Sequence, residues 1–237
     1  MDQLANLATE FFVIVVFIVT IVVGIQVYIQ NKRYKNSSYG KQSKISFFKI
    51  IEDKGARGEY RTSYELEKAN FYKKFIFNCY VPNYKNELTE IDIIMLSTKG
   101  IFVVENKNYA GWIFGDENSK NWCQTLNGKK SFFYNPIKQN KSHIKNLNRV
   151  LEQDIANLQS LITFNRSELK KIAVESDNIH VMNINQIKKF ISKCNKQENI
   201  YTEEEVNDLH NKLIPYTQVS EEDKQKHIER IKNTYKK

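Results

Sequence analysis

Asp92, Glu105 and Lys107 are the residues of this chain whose types and spacing suit chemistry. They lie on two apolar runs, Ile91 to Leu96 and Ile101 to Val104, joined by Ser97-Thr98-Lys99-Gly100. Two such runs with a short turn between them predict a β-hairpin. Strand alternation puts Glu105 and Lys107 on one face. With Thr98 and Lys99 as a two-residue loop, Ser97 pairs with Gly100 and Asp92 falls opposite Glu105. A bulge at Gly100 would shift the pairing by one and turn Asp92 away. Directly opposed Cβ atoms sit roughly 4.5–5.5 Å apart. Two carboxylates at that distance repel unless something positive lies between them, and a divalent cation such as Mg²⁺ is the usual resident. A lysine beside them suits a water or a phosphate oxygen. This is the local chemistry of metal-dependent phosphodiester hydrolysis; the plain alternative is a surface hairpin with ordinary charges. Glu90 shares the strand face of Asp92 and adds a further carboxylate to the neighbourhood.

The elements around the hairpin must position these groups. Gly55-Ala56-Arg57-Gly58-Glu59 precedes an expected helix of about 59–74, and Phe75 to Tyr80 reads as a strand ending at Pro82-Asn83. Gly111 to Phe114 and Ser131 to Tyr134 read as shorter strands, with the Asn127-Gly128 turn before the second. Pro136 suits a helix start. At helical periodicity Lys138, Lys141, Lys145 and Arg149 form one stripe, with Ile137, Ile144, Leu147 and Leu151 opposite. Asn118 to Leu151 holds seven cations and no acid, so the stripe predicts a basic ridge for phosphate contacts. Leu158 to Phe164, Lys171 to Glu175 and Asn178 to Met182 read as strands, and Ile184 to Cys194 as a helix. Thr202 caps a helix to about Leu213, and Ser220 opens another ending in Lys232, Lys236 and Lys237; both look peripheral.

The order Gly55-Ala56-Arg57-Gly58-Glu59, Thr89-Glu90-Ile91-Asp92, Val103-Val104-Glu105-Asn106-Lys107-Asn108-Tyr109, Gly111-Trp112-Ile113 and Asn135-Pro136-Ile137-Lys138-Gln139 resembles the NERD (nuclease-related) domain, a branch of the PD-(D/E)XK restriction-endonuclease-like superfamily. The resemblance covers about residues 53–165. It implies an α/β fold, a mixed central sheet flanked by helices. It implies that Glu59, Asp92 and Glu105 are metal ligands, that Lys107 is the catalytic lysine, and that Gln139 belongs to the catalytic set. The superfamily's first-strand acid is present without the proline that names it. The cofactor implied is Mg²⁺ or Mn²⁺ and the substrate is nucleic acid, with DNA favoured.

The chain has 237 residues and a formal net charge of +9, with a pI of about 9.2. Such a balance fits an anionic partner, nucleic acid or anionic lipid. Cys79, Cys123 and Cys194 are widely spaced, and the four histidines show no metal-ligand spacing, which argues against zinc and disulfide scaffolds. No G-x-x-x-x-G-K-[ST] loop occurs, so nothing points to an NTPase motor.

Phe11 to Ile29 is apolar and uncharged, long enough for one transmembrane helix, and Lys32, Arg33 and Lys35 follow at once. The cation bias predicts a single-pass anchor in the cell membrane with the rest of the chain in the cytoplasm. A signal peptide fits less well, since the run lacks a basic start and a small-residue cleavage site. The expected division is an anchor at 1–30, a flexible basic linker at 31–52 that suits anionic lipid, nucleic acid or a plain solvated tether alike, a nuclease-like domain at 53–195 and C-terminal helices at 196–237. The function expected is a membrane-anchored nuclease; the alternative is a tethered nucleic-acid-binding or scaffold protein without turnover.

Overall fold

The computed structural model describes residues 2–235, with the backbone alone at 2, 4, 5 and 231–235. Lys236 and Lys237, expected at the end of the last helix, lie outside the described residues. Helix α1 spans Asp2–Asn36. Its apolar side chains from Phe11 to Ile29 are exposed all round. From Asn6 to Asn36 it is long and apolar enough to cross a membrane.

Residues 31–52 are folded, contrary to the expected tether. Tyr34, near the end of α1, is buried and its hydroxyl donates to the Ile45 carbonyl at 2.6 Å. Helices α2 (Ser38–Gln42) and α3 (Phe47–Glu52) follow, each capped by a serine. Tyr39, Phe47 and Ile50 are buried with Tyr34 in one cluster. The cations of this stretch point outward, while four apolar side chains among them supply the area that fixes it.

Helix α4 covers Lys54–Glu67, starting and ending earlier than expected. Asp53 caps it by accepting from the backbone N–H of Gly55 and Ala56. Gly58 is therefore inside the helix, where its missing side chain lets α4 approach the sheet. A Cβ there would lie 2.4 Å from Asn106 Nδ2 and 2.9 Å from Asn165 Nδ2.

The sheet has seven strands. Strands β1 (Lys73–Pro82), β2 (Leu88–Ser97) and β3 (Gly100–Asp116) form an antiparallel meander. Strands β4 (Asn121–Leu126) and β5 (Lys129–Tyr134) form a hairpin about Asn127 and Gly128, both at positive φ, and β4 pairs with the far half of β3. Helix α5 (Pro136–Leu151) then crosses over to β6 (Leu158–Ala173), which runs parallel to β3, and β7 (Ile179–Asn183) lies parallel to β6. The expected strand Gly111 to Phe114 is the continuation of β3, and the two expected strands between Leu158 and Glu175 are one. Gly111, expected to open a separate strand, is a close approach at φ +78°, where a Cβ would meet Thr125 O at 2.3 Å.

Helix α6 (Ile187–Cys194) packs with α2, α3 and α4 on the face carrying Phe77, Met95, Phe102 and Val104. Helices α5 and α7 (Glu203–Leu213) cover the other face, with Ile76, Leu96, Ile101 and Val103. Helix α7 buries Val206, Leu209 and Leu213 and so belongs to the core, not the periphery. The last helix, α8 (Glu221–Tyr235), rests its buried His227 on Tyr80 and on the Leu88 carbonyl.

Replacing Gly58 with alanine forces the 2.4 Å contact apart and is expected to cost about 1–3 kcal/mol in a urea unfolding curve. An unchanged midpoint would show that α4 is not held this close to β3.

Candidate active site

Strands β2 and β3 pair from Ser97↔Gly100 to Ile93↔Val104. The tight turn is fixed by Ser97, whose hydroxyl donates to the Gly100 carbonyl at 2.8 Å. Extending that register by one step sets Asp92 against Glu105, the arrangement expected from the two-residue loop. Beyond this point β2 and β3 diverge. Strand β4 joins β3 only at Trp112, and β6 holds the other edge apart from a register shift between Lys107 and Ala110. The β3 edge between Val104 and Trp112 is thus an open fork, and Glu105 and Lys107 lie in it.

Glu105 is 4% exposed. Its Oε1 is 2.8 Å from Lys107 Nζ, and its Oε2 is 3.4 Å from His143 Nε2. Lys107 also donates to Gln139 Oε1 at 3.1 Å. Gln139 and His143 stand one turn apart on α5 and so address one place from one helix face. His143 Nδ1 is buried without a partner. Glu59 approaches from α4, and its Oε2 accepts from the Tyr39 hydroxyl at 2.9 Å.

The electrostatics are those of a crowded acid pocket. Burial raises the Asp92 carboxyl well above the ordinary value, and Glu105, Glu59 and Glu90 raise it further. Burial also lifts Glu59, from 4.5 to about 7, against the pull of the Tyr39 hydrogen bond and with help from Glu90, Asp53 and Glu105. Burial opposes the charge of Glu105, but Lys107 and His143 overcome it and the pKa is lowered. Burial likewise opposes the Lys107 ammonium, and Glu105 outweighs it, so that pKa is raised. One lysine therefore faces four acids.

That donor set fits a hard divalent cation. A carboxylate raised by its like-charged neighbours is the group an added cation relieves. Among the described residues no three His, Cys, Asp or Glu side chains converge into a ready-made metal cluster. Asp92 and Glu105 would supply two carboxylates, and Mg²⁺ commonly accepts one or two and keeps its waters. Glu59 lies beside this pair but is engaged by Tyr39.

The basic stripe of α5 divides in two. Lys145 and Arg149 are exposed and Lys138 is half-buried. Lys141 Nζ is 2.7 Å from Oε1 of the buried Glu117. Glu117 also accepts from the Ser176 hydroxyl and the backbone N–H of Glu175 and Ser176, and with Lys141 these hold its pKa down to about 2. The acid that compensates Lys141 stands one residue before the acid-free stretch.

Three residues of this arrangement escaped the sequence reading. His143 was set aside because the histidines lack mutual spacing, yet it follows Gln139 by four, which is a helical signal. Tyr39 lay in the supposed tether, and Glu117 outside the basic segment. A cavity of about 1010 Å³ lies elsewhere, along β7 and α6, and none of the site carboxylates lines it.

The comparisons with known proteins bear on the family of the chain. The family model described as nuclease-related domain, NERD, matches residues 54–165. The chain is 30% identical over 185 residues to the uncharacterized protein pXO1-01 of Bacillus anthracis, covering 78% of this chain and 86% of that protein. No solved structure matches the chain at a significant level. The chain belongs to the NERD, nuclease-related domain, family. Its seven-stranded mixed sheet between helices is the α/β architecture expected of it.

A carboxyl whose folded pKa is raised stabilises the fold below its unfolded pKa, and that contribution is lost as pH rises through the folded value. For Glu59 the window runs from 4.5 to about 7, and Asp92 adds in the same direction. In metal-free buffer, urea midpoints should therefore fall between ~pH 5 and ~pH 8, and Glu59→Gln should flatten that fall. A Gln variant with the parent's slope would show that Glu59 is not held in this environment.

Proposed function

We propose that this protein is a membrane-anchored, divalent-metal-dependent nuclease that hydrolyses phosphodiester bonds, with DNA as substrate. The observation that carries the reading is Asp92 within electrostatic reach of Glu105 and Lys107 just past the last β2–β3 pair, with Lys107 Nζ 2.8 Å from Glu105. Mg²⁺ or Mn²⁺ would be held by Asp92 and Glu105, with Glu59 alongside. When bound, the ion polarises a phosphoryl oxygen and lowers the pKa of its water.

The chain's own groups have separate tasks. Lys107 is an ammonium by virtue of Glu105 and would stabilise negative charge developing on the phosphate. Gln139 aims Lys107, and His143 holds the second oxygen of Glu105. Glu59, raised to about 7 and so present in both protonation states near neutral pH, would be the acid best able to take or give a proton. Lys138, Lys145 and Arg149 on α5 would contact flanking phosphates. Lys141 would contribute less, because Glu117 holds it.

Helix α1 would cross the cell membrane once through residues 11–29, with Lys32, Arg33 and Lys35 and the folded domain on the cytoplasmic side. The outward cations between residues 31 and 52 would meet anionic lipid. One feature favours the rival reading, a tethered nucleic-acid-binding module without turnover: both oxygens of Glu105 already have partners.

The test uses the full chain in detergent with linear, supercoiled and single-stranded DNA and with RNA, in Mg²⁺, Mn²⁺ or EDTA. Cleavage is expected with metal only, and Asp92→Ala or Lys107→Ala should each lower its rate by roughly 10²-fold or more. Cutting that survives both substitutions would place the chemistry elsewhere. Folded protein that cuts nothing would leave the binding module.

For α5, Lys145→Glu is expected to weaken DNA binding and reduce the salt slope by about 1 with an unchanged melting temperature. Lys141→Ala is expected to lower the melting temperature instead. The reverse pattern would mean that Glu117 does not hold Lys141 in solution.

A further inference from the structure

The face of the sheet opposite Glu105 and Lys107 carries charge that the proposed chemistry leaves unused. Side chains alternate along β3, so Asn106 projects away from Lys107, and Asn108, at the register shift before Ala110, donates to the Lys54 carbonyl of α4. Asn106 meets α4 there, accepting from the Thr62 hydroxyl at 3.0 Å. On this face Arg57 and Arg61 of α4, one turn apart, and Arg166 of β6 line a cavity of about 340 Å³ with Gly58, Asn108 and Asn165. No acid is among its lining residues. Arg57 is braced by donating to the Ile51 carbonyl at 2.9 Å, while Arg61 and Arg166 are exposed. Gly58 and Asn108 adjoin Glu59 and Lys107 in sequence, so the cavity lies across the fork from the acid pocket.

The same ladder leads from this cavity to exposed aromatic rings. Ala110 pairs with Arg166 and Trp112 with Glu168. Trp112 is 49% exposed, and Lys170 Nζ lies 5.1 Å from its ring centroid. Glu168 is ion-paired with that lysine. Trp112 pairs with Thr125, which pairs with Lys130; the neighbouring row is Phe114, Cys123 and Phe132. Directly paired residues share a face, so Trp112, Lys130 and Phe132 stand together. Phe132 is 72% exposed. A positive groove beside exposed rings is how sequence-tolerant proteins hold single strands, whose base faces are free to stack. A duplex offers no such faces.

We propose that this face takes a single-stranded nucleic-acid segment, with a backbone phosphate in the arginine cavity and its bases against Trp112 and Phe132. The inference rests on the nuclease reading for its placement beside the fork. It makes a strand that is unpaired near the scissile bond the preferred substrate.

The experiment measures binding of the full chain in detergent, with EDTA present, to a labelled single-stranded oligonucleotide and to a blunt duplex of the same sequence. The single strand should bind more tightly. Arg61→Ala with Arg166→Ala should weaken it roughly tenfold and flatten the salt slope by about 1. Trp112→Ala should weaken it roughly tenfold with the slope retained. Unfolding midpoints confirm that these surface changes leave the fold intact. Equal binding of both forms by the parent, or single-strand affinity unmoved by the variants, overturns the proposal. So does loss of binding to anionic vesicles alone, which would assign the arginines to lipid phosphate. Chelation separates the two readings. Binding as expected with no cleavage when metal is restored keeps this face and removes the enzyme. Cleavage through Asp92 and Lys107 with binding indifferent to Arg61 and Trp112 does the opposite.

Discussion

The structure turns on a charge imbalance only partly open to water. Glu59, Glu90, Asp92 and Glu105 crowd one end of the sheet with Lys107 as the cation among them. Left alone, such a pocket keeps protons that its acids would lose in solution, and Glu59 and Asp92 both show this. The arrangement weakens the fold at neutral pH and persists because strong packing surrounds it. Val103 and Val104 are buried immediately before Glu105, and Ile93 and Ile94 immediately after Asp92. Glu105, buried on β3, cannot swing into solvent without dragging a core strand with it.

Two interactions set the shape of the fork. On one face Asn106 gathers hydrogen bonds from Thr62, Thr163 and Asn165, tying α4, β3 and β6 at the level of the acid pocket. Gly58 makes that junction possible by carrying no side chain where the helix meets Asn106. On the other face Asn140 donates to the Val103 carbonyl and to Ser160, fixing α5 so that Gln139 and His143 reach Lys107 and Glu105. The asparagines beside the charged groups thus determine where those groups stand.

The hairpin and its register were legible in the sequence because a two-residue turn between apolar runs permits few pairings. The burial stripe of α5 was legible for the same reason, and Ile137, Ile144, Leu147 and Leu151 are all buried. Glycine misled at both places where it mattered. Gly58 and Gly111 looked like boundaries, yet each lies inside a regular element at a close approach. Residues 31–52 were judged by their charge, although the cations face outward and Tyr34, Tyr39 and Phe47 among them face the core. The partners of Lys141 and Glu59 could not be read at all. Glu117 reaches Lys141 from the far end of β3, and Tyr39 reaches Glu59 from another helix, so only the folded chain brings them together.

Helix α1 runs without interruption from its apolar stretch to Asn36, and Tyr34 in its last turns is locked into the domain through Phe47 and Tyr60. There is no swivel between the two. Any layer that accommodated the greasy segment would also dictate the height and tilt of the remaining protein above it. The acid pocket would then sweep a thin shell rather than a hemisphere, and anything reaching it would have to come down to that height.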